Sequence, residues 1–123
     1  MKKHLVLLLL CPLAGALAFI PAKRSLVGHW RALYGNGVKG NAVFRKDGTY
    51  EATFEGSAWK VGGQYKLEGD ISTITDSTCG MGYWAKYKAT WYSDDSLRMT
   101  AIDDSCTGRK ANADGAVMVR EKM

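Results

Sequence analysis

Histidine, proline and cysteine are all scarce in this chain, and each scarcity closes off a class of function. Only two histidines occur in 123 residues, His4 and His29, too few for a histidine-rich metal centre. Two prolines exclude proline-rich linkers and extended polyproline segments. The three cysteines, Cys11, Cys79 and Cys106, fall short of a four-thiolate zinc site. Long hydrophobic runs are missing as well. The apolar stretch that begins at Leu5 is broken by Pro12 and Gly15 before it reaches the length of a membrane span. Charge of one sign is thinly spread: 17 Lys and Arg against 12 Asp and Glu give +5, and no dense basic block forms. A dedicated nucleic-acid surface is therefore not expected.

What remains is ordinary globular material. Hydrophobic residues make up 46% and charged residues 24%, and fourteen glycines with many aromatics favour strands joined by tight turns. The length suits one domain. Ahead of it, Met1-Lys2-Lys3-His4 is a basic start, Leu5 to Leu13 an apolar run, and Ala14-Gly15-Ala16 and Ala16-Leu17-Ala18 offer small residues at cleavage spacing. Residues 1–18 read as a secretory signal peptide, and 19–123 as a single domain in a secreted or periplasmic protein. Cleavage after Ala18 removes Lys2 and Lys3 and no acid, leaving 105 residues, a formal charge of +3 and no transmembrane segment in the mature chain. A lipoprotein acylated at Cys11 is the weaker alternative, because Leu10 stands where a small residue is usual.

Two cysteines survive maturation. An even pair in an exported chain reads as a disulfide, Cys79 to Cys106. Zinc is the poorer reading, since His29 would be the sole imidazole left to join them.

Period-two alternation recurs along the chain and predicts eight strands, at 26–34, 40–46, 49–55, 62–68, 71–76, 83–92, 97–102 and 116–122. Ala42, Phe44, Tyr50, Ala52 and Phe54 share one inner face, as do Tyr83, Ala85, Tyr87, Ala89 and Trp91. No window shows apolar spacing that better suits an amphipathic helix. Short turn signals lie at Lys46-Asp47-Gly48, Glu68-Gly69-Asp70 and Ser93-Asp94-Asp95-Ser96. In a meander all three fall at one end. The longer connections, 35–39, 56–61, 77–82 and 103–115, fall at the other, and two of them carry Cys79 and Cys106.

Leu26-Val27-Gly28-His29-Trp30, opening the first strand, resembles the Gly-x-Trp start of the lipocalins and related calycin barrels. In that family the tryptophan plugs the closed end and an arginine from the last strand packs across it. The resemblance implies those roles for Gly28, Trp30 and Arg120. The stretch from Tyr83 to Asp103-Asp104-Ser105-Cys106-Thr107-Gly108-Arg109 also looks like small exported bacterial lipocalin-like proteins. The chain is shorter than a typical lipocalin and no helix pattern follows its last strand. The expected fold is all-β: a small eight-stranded antiparallel up-and-down barrel, lipocalin-like, without a C-terminal helix.

Catalysis is not expected. His29 alternates away from the core, and one imidazole without a converging constellation reads as a surface residue. Asp94-Asp95 and Asp103-Asp104 read as turn chemistry rather than calcium ligands or paired acids. Gly35-Asn36-Gly37 lacks the following helix and lysine of a phosphate cradle. Neither cofactor nor metal is implied.

Two aromatic sets remain. Trp30, Phe44, Tyr50, Phe54, Tyr65, Tyr87 and Trp91 read as core, offset by the inward alanines Ala42, Ala52, Ala85, Ala89 and Ala101. Tyr34, Trp59, Tyr83 and Trp84 fall at the loop end and are the candidate ligand-binding residues, with loop packing as the plain alternative. The leading expectation is a binding protein for a small apolar or amphipathic molecule that enters at the loop end. A protein-interaction barrel of inhibitor type, engaging an extracytoplasmic protein, is the alternative. A structural envelope protein is the third.

Overall fold

The computed structural model describes residues 24–122; the expected signal peptide, with Cys11, lies outside them. The alternating segments become eight strands: β1 (Gly28–Leu33), β2 (Lys39–Phe44), β3 (Thr49–Phe54), β4 (Lys60–Glu68), β5 (Ile71–Asp76), β6 (Ala85–Ser93), β7 (Ser96–Asp103) and β8 (Val117–Arg120). Each pairs antiparallel with its successor, and β8 returns to pair with β1, closing a barrel. Closure leaves no free edge to template aggregation. The architecture is the eight-stranded antiparallel up-and-down barrel that the sequence predicts, with one addition. A helix, α1 (Thr107–Ala113), lies between β7 and β8.

The composition of α1 explains why alternation alone missed it. Thr-Gly-Arg-Lys-Ala-Asn-Ala spans two turns and offers only alanines as apolar residues, so no amphipathic stripe can form. Isolated helices of this length are unstable in water, so tertiary contacts must hold this one. The Cys79–Cys106 disulfide, with α-carbons 5.9 Å apart, anchors its start. Near its end the Asn112 carbonyl accepts from Gly35 N at 2.7 Å, and the Asn112 side chain bonds that of Asn36 at 2.7 Å.

Short turns seal one pole of the barrel. Trp30 is fully buried there and donates its indole N–H to the Leu26 carbonyl at 2.8 Å. The Arg120 guanidinium lies 4.2 Å over the indole ring as a cation–π contact and donates to the carbonyls of Ser25, Val27 and Asp94. Its Nε meets the Asp95 carboxylate at 2.9 Å. Gly28 leaves room for this arrangement: at φ +139° a side chain is already strained, and a Cβ would stand 2.8 Å from Arg120 NH1. Gly28, Trp30 and Arg120 thus meet at the sealed pole.

Inward residues alternate as the sequence predicts along β2, β3 and β6, with Ala42, Phe44, Tyr50, Ala52, Ala85, Tyr87 and Ala89 buried. Phe54, Tyr65, Trp91 and Ala101 are partly buried and pack against that core. Tyr83 departs from the extrapolated alternation. β6 begins only at Ala85, and the Tyr83 side chain is exposed.

Candidate functional site

The loop pole carries an internal cavity of about 80 Å³. Its wall is mainly apolar, drawn from Tyr34, Phe44, Ala52, Phe54, Ile74 and Met118 among others, and α1 adds Arg109, Asn112 and Ala113 to it. Into this wall is set a polar corner that neither composition nor motif points to.

Glycine builds one half of the corner. Gly63 of β4 pairs with Tyr50 on one side and with Asp76 on the other. A Cβ at Gly63 would lie 2.8 Å from the Tyr50 ring and 2.2 Å from the Thr75 carbonyl oxygen. Its absence lets the phenol lie across the middle strand, so that the Tyr50 hydroxyl donates to the Asp76 carboxylate. The other carboxylate oxygen accepts from the Thr78 amide at 2.9 Å.

The segment from Asp104 to α1 builds the other half. Asp104 Oδ1 accepts from the Cys106 amide at 2.9 Å, the short-range bond expected of an Asp in a turn. The same carboxylate takes both Nε and NH2 of Arg109 at 2.9 Å in a two-pronged ion pair. It also accepts from the Tyr87 hydroxyl, while Arg109 NH2 donates to the Tyr83 carbonyl at 2.8 Å. Turn chemistry thus describes Asp104 only in part. Its side chain is fully buried and serves as the seat of the arginine.

Electrostatics follow from these contacts. Burial alone would raise the Asp104 pKa, but hydrogen bonds from Arg109, Tyr87 and the Cys106 amide outweigh it and hold the carboxyl below its ordinary value. Burial likewise opposes the Arg109 charge, and Asp104 with Asp76 overcomes it, so that the guanidinium is held charged more firmly than usual. Tyr50 and Tyr87 are pushed well above the ordinary phenol value, first by burial and then by the carboxylates they face. Tyr34 is pushed up to about 12 by burial.

Two polar atoms in the lining lack partners. Arg109 is 3% exposed, and its NH1 has no hydrogen bond; the nearest carboxylate oxygen, of Asp76, is 3.7 Å away. Ser72 is 0% exposed, and its Oγ is also unpartnered. Ser72, Ile74 and Asp76 alternate along β5, so Asp76 faces the interior by simple period two. A strand-borne acid on the inward register was the signal available in the sequence.

The four candidate ligand-binding residues fall in different places. Tyr34 is buried and lines the cavity, its hydroxyl bonded to the carbonyls of Asn41 and Thr53 at 3.0 Å. Trp59 is exposed and stacks on Phe54 with ring centres 5.3 Å apart, and Phe54 in turn packs on Tyr34 at 4.7 Å. These three rings form a ladder from the surface to the cavity wall. Trp84 is exposed beside the Lys66 ammonium, 5.7 Å away, and does not reach the cavity. Tyr83 contributes its backbone carbonyl alone.

No family model and no curated protein matches the chain. Among solved structures it is similar to a lipocalin-like protein from Bacteroides uniformis ATCC 8492, at 18% identity and a TM-score of 0.48. That likeness covers 80% of this chain and 98% of the other.

Proposed function

We propose that the protein is an exported, non-catalytic binding protein that takes a compact, mainly apolar molecule into the barrel interior beneath α1. One observation carries this reading: an apolar cavity lined on one side by a helix, with two buried polar atoms still unpartnered within it. Buried polar groups are ordinarily satisfied, so such atoms point to a missing partner. The disulfide accords with an extracytoplasmic setting, and among the described residues no helix is long and apolar enough to cross a membrane.

Size narrows the ligand. Pockets for drug-sized molecules enclose roughly 300–1,000 Å³, and an engineered apolar cavity of about 150 Å³ holds benzene. At about 80 Å³ the present cavity suits a molecule of a few heavy atoms, and a retinoid or tetrapyrrole would require the lining to move. A non-catalytic role is supported by the pairing of the buried acids with tyrosines and arginine, and by the exposure of His29.

Native mass spectrometry of the purified protein tests the reading. A retained small mass, lost on denaturation, is the expected result. A bare polypeptide mass, with no change in tryptophan fluorescence across a panel of small apolar compounds, refutes it.

A further inference from the structure

The polar corner carries information about the head group of the ligand. The inference rests on the interior-binding reading above. All four carboxylate oxygens already have partners: Asp76 holds the Thr78 amide and Tyr50, and Asp104 holds Cys106 N, Tyr87 and two nitrogens of Arg109. Asp104 takes four donors, whereas each Asp76 oxygen takes one and can accept another. The unpartnered group of the corner is the NH1 donor of Arg109. A ligand head meeting it must therefore accept a hydrogen bond.

The charge of the corner decides which acceptor. One guanidinium faces two carboxylates, so the corner sums to one negative charge even with Arg109 present. A carboxylate or phosphate brought beside Arg109 NH1 would also lie against Asp76, whose Oδ1 is 3.7 Å from that nitrogen. The Arg109 and Asp76 side chains are each 3% exposed, so water screens that repulsion poorly. A neutral acceptor meets no such penalty. Elsewhere in the lining, Ser72 Oγ can donate or accept and places no charge demand on the ligand.

We infer that the interior site selects small neutral carbonyl compounds, such as ketones, amides or lactones, over carboxylates of the same size, with Arg109 NH1 donating to the carbonyl oxygen and Asp76 excluding anions.

Three probes of matched size test this: 2-butanone, butanamide and butanoate, followed by NMR on the protein with its disulfide formed. The ketone and amide are expected to shift the Arg109 side-chain and Ser72 signals. Butanoate should bind at least about tenfold more weakly, in line with the cost of a like charge in a desolvated site. Asp76→Asn removes the repelling charge and retains an oxygen for the Thr78 amide, and should bring butanoate to within about threefold of the ketone. The wild-type ranking is decisive by itself if the variant does not fold. Butanoate binding as well as 2-butanone in the wild-type cavity overturns the head-group inference and leaves interior binding standing. Failure of all three probes to shift any cavity residue overturns both.

Discussion

Replacing Arg109 with methionine keeps the stem of the side chain and deletes the guanidinium, and the structure allows the consequence to be worked through. The substitution removes two bonds to Asp104 at 2.9 Å and one to the Tyr83 carbonyl at 2.8 Å. The Asp104 carboxylate stays fully buried with Tyr87 and the Cys106 amide as its remaining donors. Removing one partner of a buried ion pair costs about 3–5 kcal/mol, because an uncompensated charge is left inside. At roughly 4 °C per kcal/mol for a domain of this size, the melting temperature should fall by about 12–20 °C at neutral pH.

The pH dependence gives the sharper test. In the parent, the folded Asp104 pKa lies below its unfolded value of about 3.9, so the stability it contributes is present above that value and is lost as pH falls through the lower folded pKa. In the variant, burial acts with less opposition and the folded pKa moves upward, so protonation relieves the variant as pH drops. The gap in melting temperature, followed by circular dichroism, should therefore narrow between neutral pH and about pH 4. Asp104→Asn added to Arg109→Met should recover most of the loss. A gap below about 1 kcal/mol at neutral pH, or one that stays constant on acidification, would refute the account of a buried charge seated by this arginine.

Trp30→Ala should destabilise by about 3–5 kcal/mol in urea titration, since it empties the sealed pole and strands Arg120. The double Cys79→Ser, Cys106→Ser change opens a link spanning 27 residues, worth about 3.5 kcal/mol in the chain-entropy model; an unchanged denaturation midpoint would contradict it. Gly63→Ala should unfold the barrel or loosen Tyr50 from Asp76, seen as a Tyr50 phenol that titrates nearer its ordinary value. Above about pH 10 the parent should lose stability progressively, because the folded pKa values of Tyr50 and Tyr87 lie above the unfolded phenol value. Trp59→Ala should abolish most of the ligand-dependent fluorescence change at a cost of about 0.5–1.5 kcal/mol from the lost Phe54 stack, whereas Trp84→Ala should keep it.

The barrel was legible because its determinants are local and periodic. Alternation marks eight strands, turn residues sort the connections between two poles, and those poles place Cys79 beside Cys106 and Trp30 beneath Arg120. The polar corner was less legible because its determinants are neither. Asp76, Asp104 and Arg109 come from a strand end, a turn and a two-turn helix without an apolar stripe, and only closure of the barrel brings them together. The turn reading of Asp104 captured its bond to Cys106 N and could not reveal the arginine behind it. Chain order sets Trp84 at the mouth because it follows the 77–82 connection at the start of the expected sixth strand. The strand that would have oriented it starts one residue later, at Ala85.

The antiparallel seam between β1 and β8 has a practical consequence for handling the molecule. Trp30 pairs with Arg120 across that seam, so the chain enters β1 and leaves β8 side by side, on the sealed pole. Residues 24–27 and 121–122 thus emerge opposite α1 and the cavity. A fluorescent tag, a surface tether or a fused domain attached at either terminus would leave the helix-covered face turned towards solvent. Immobilised by its ends, the protein should present its ligand pole outward in a uniform orientation, ready for capture experiments on a chip.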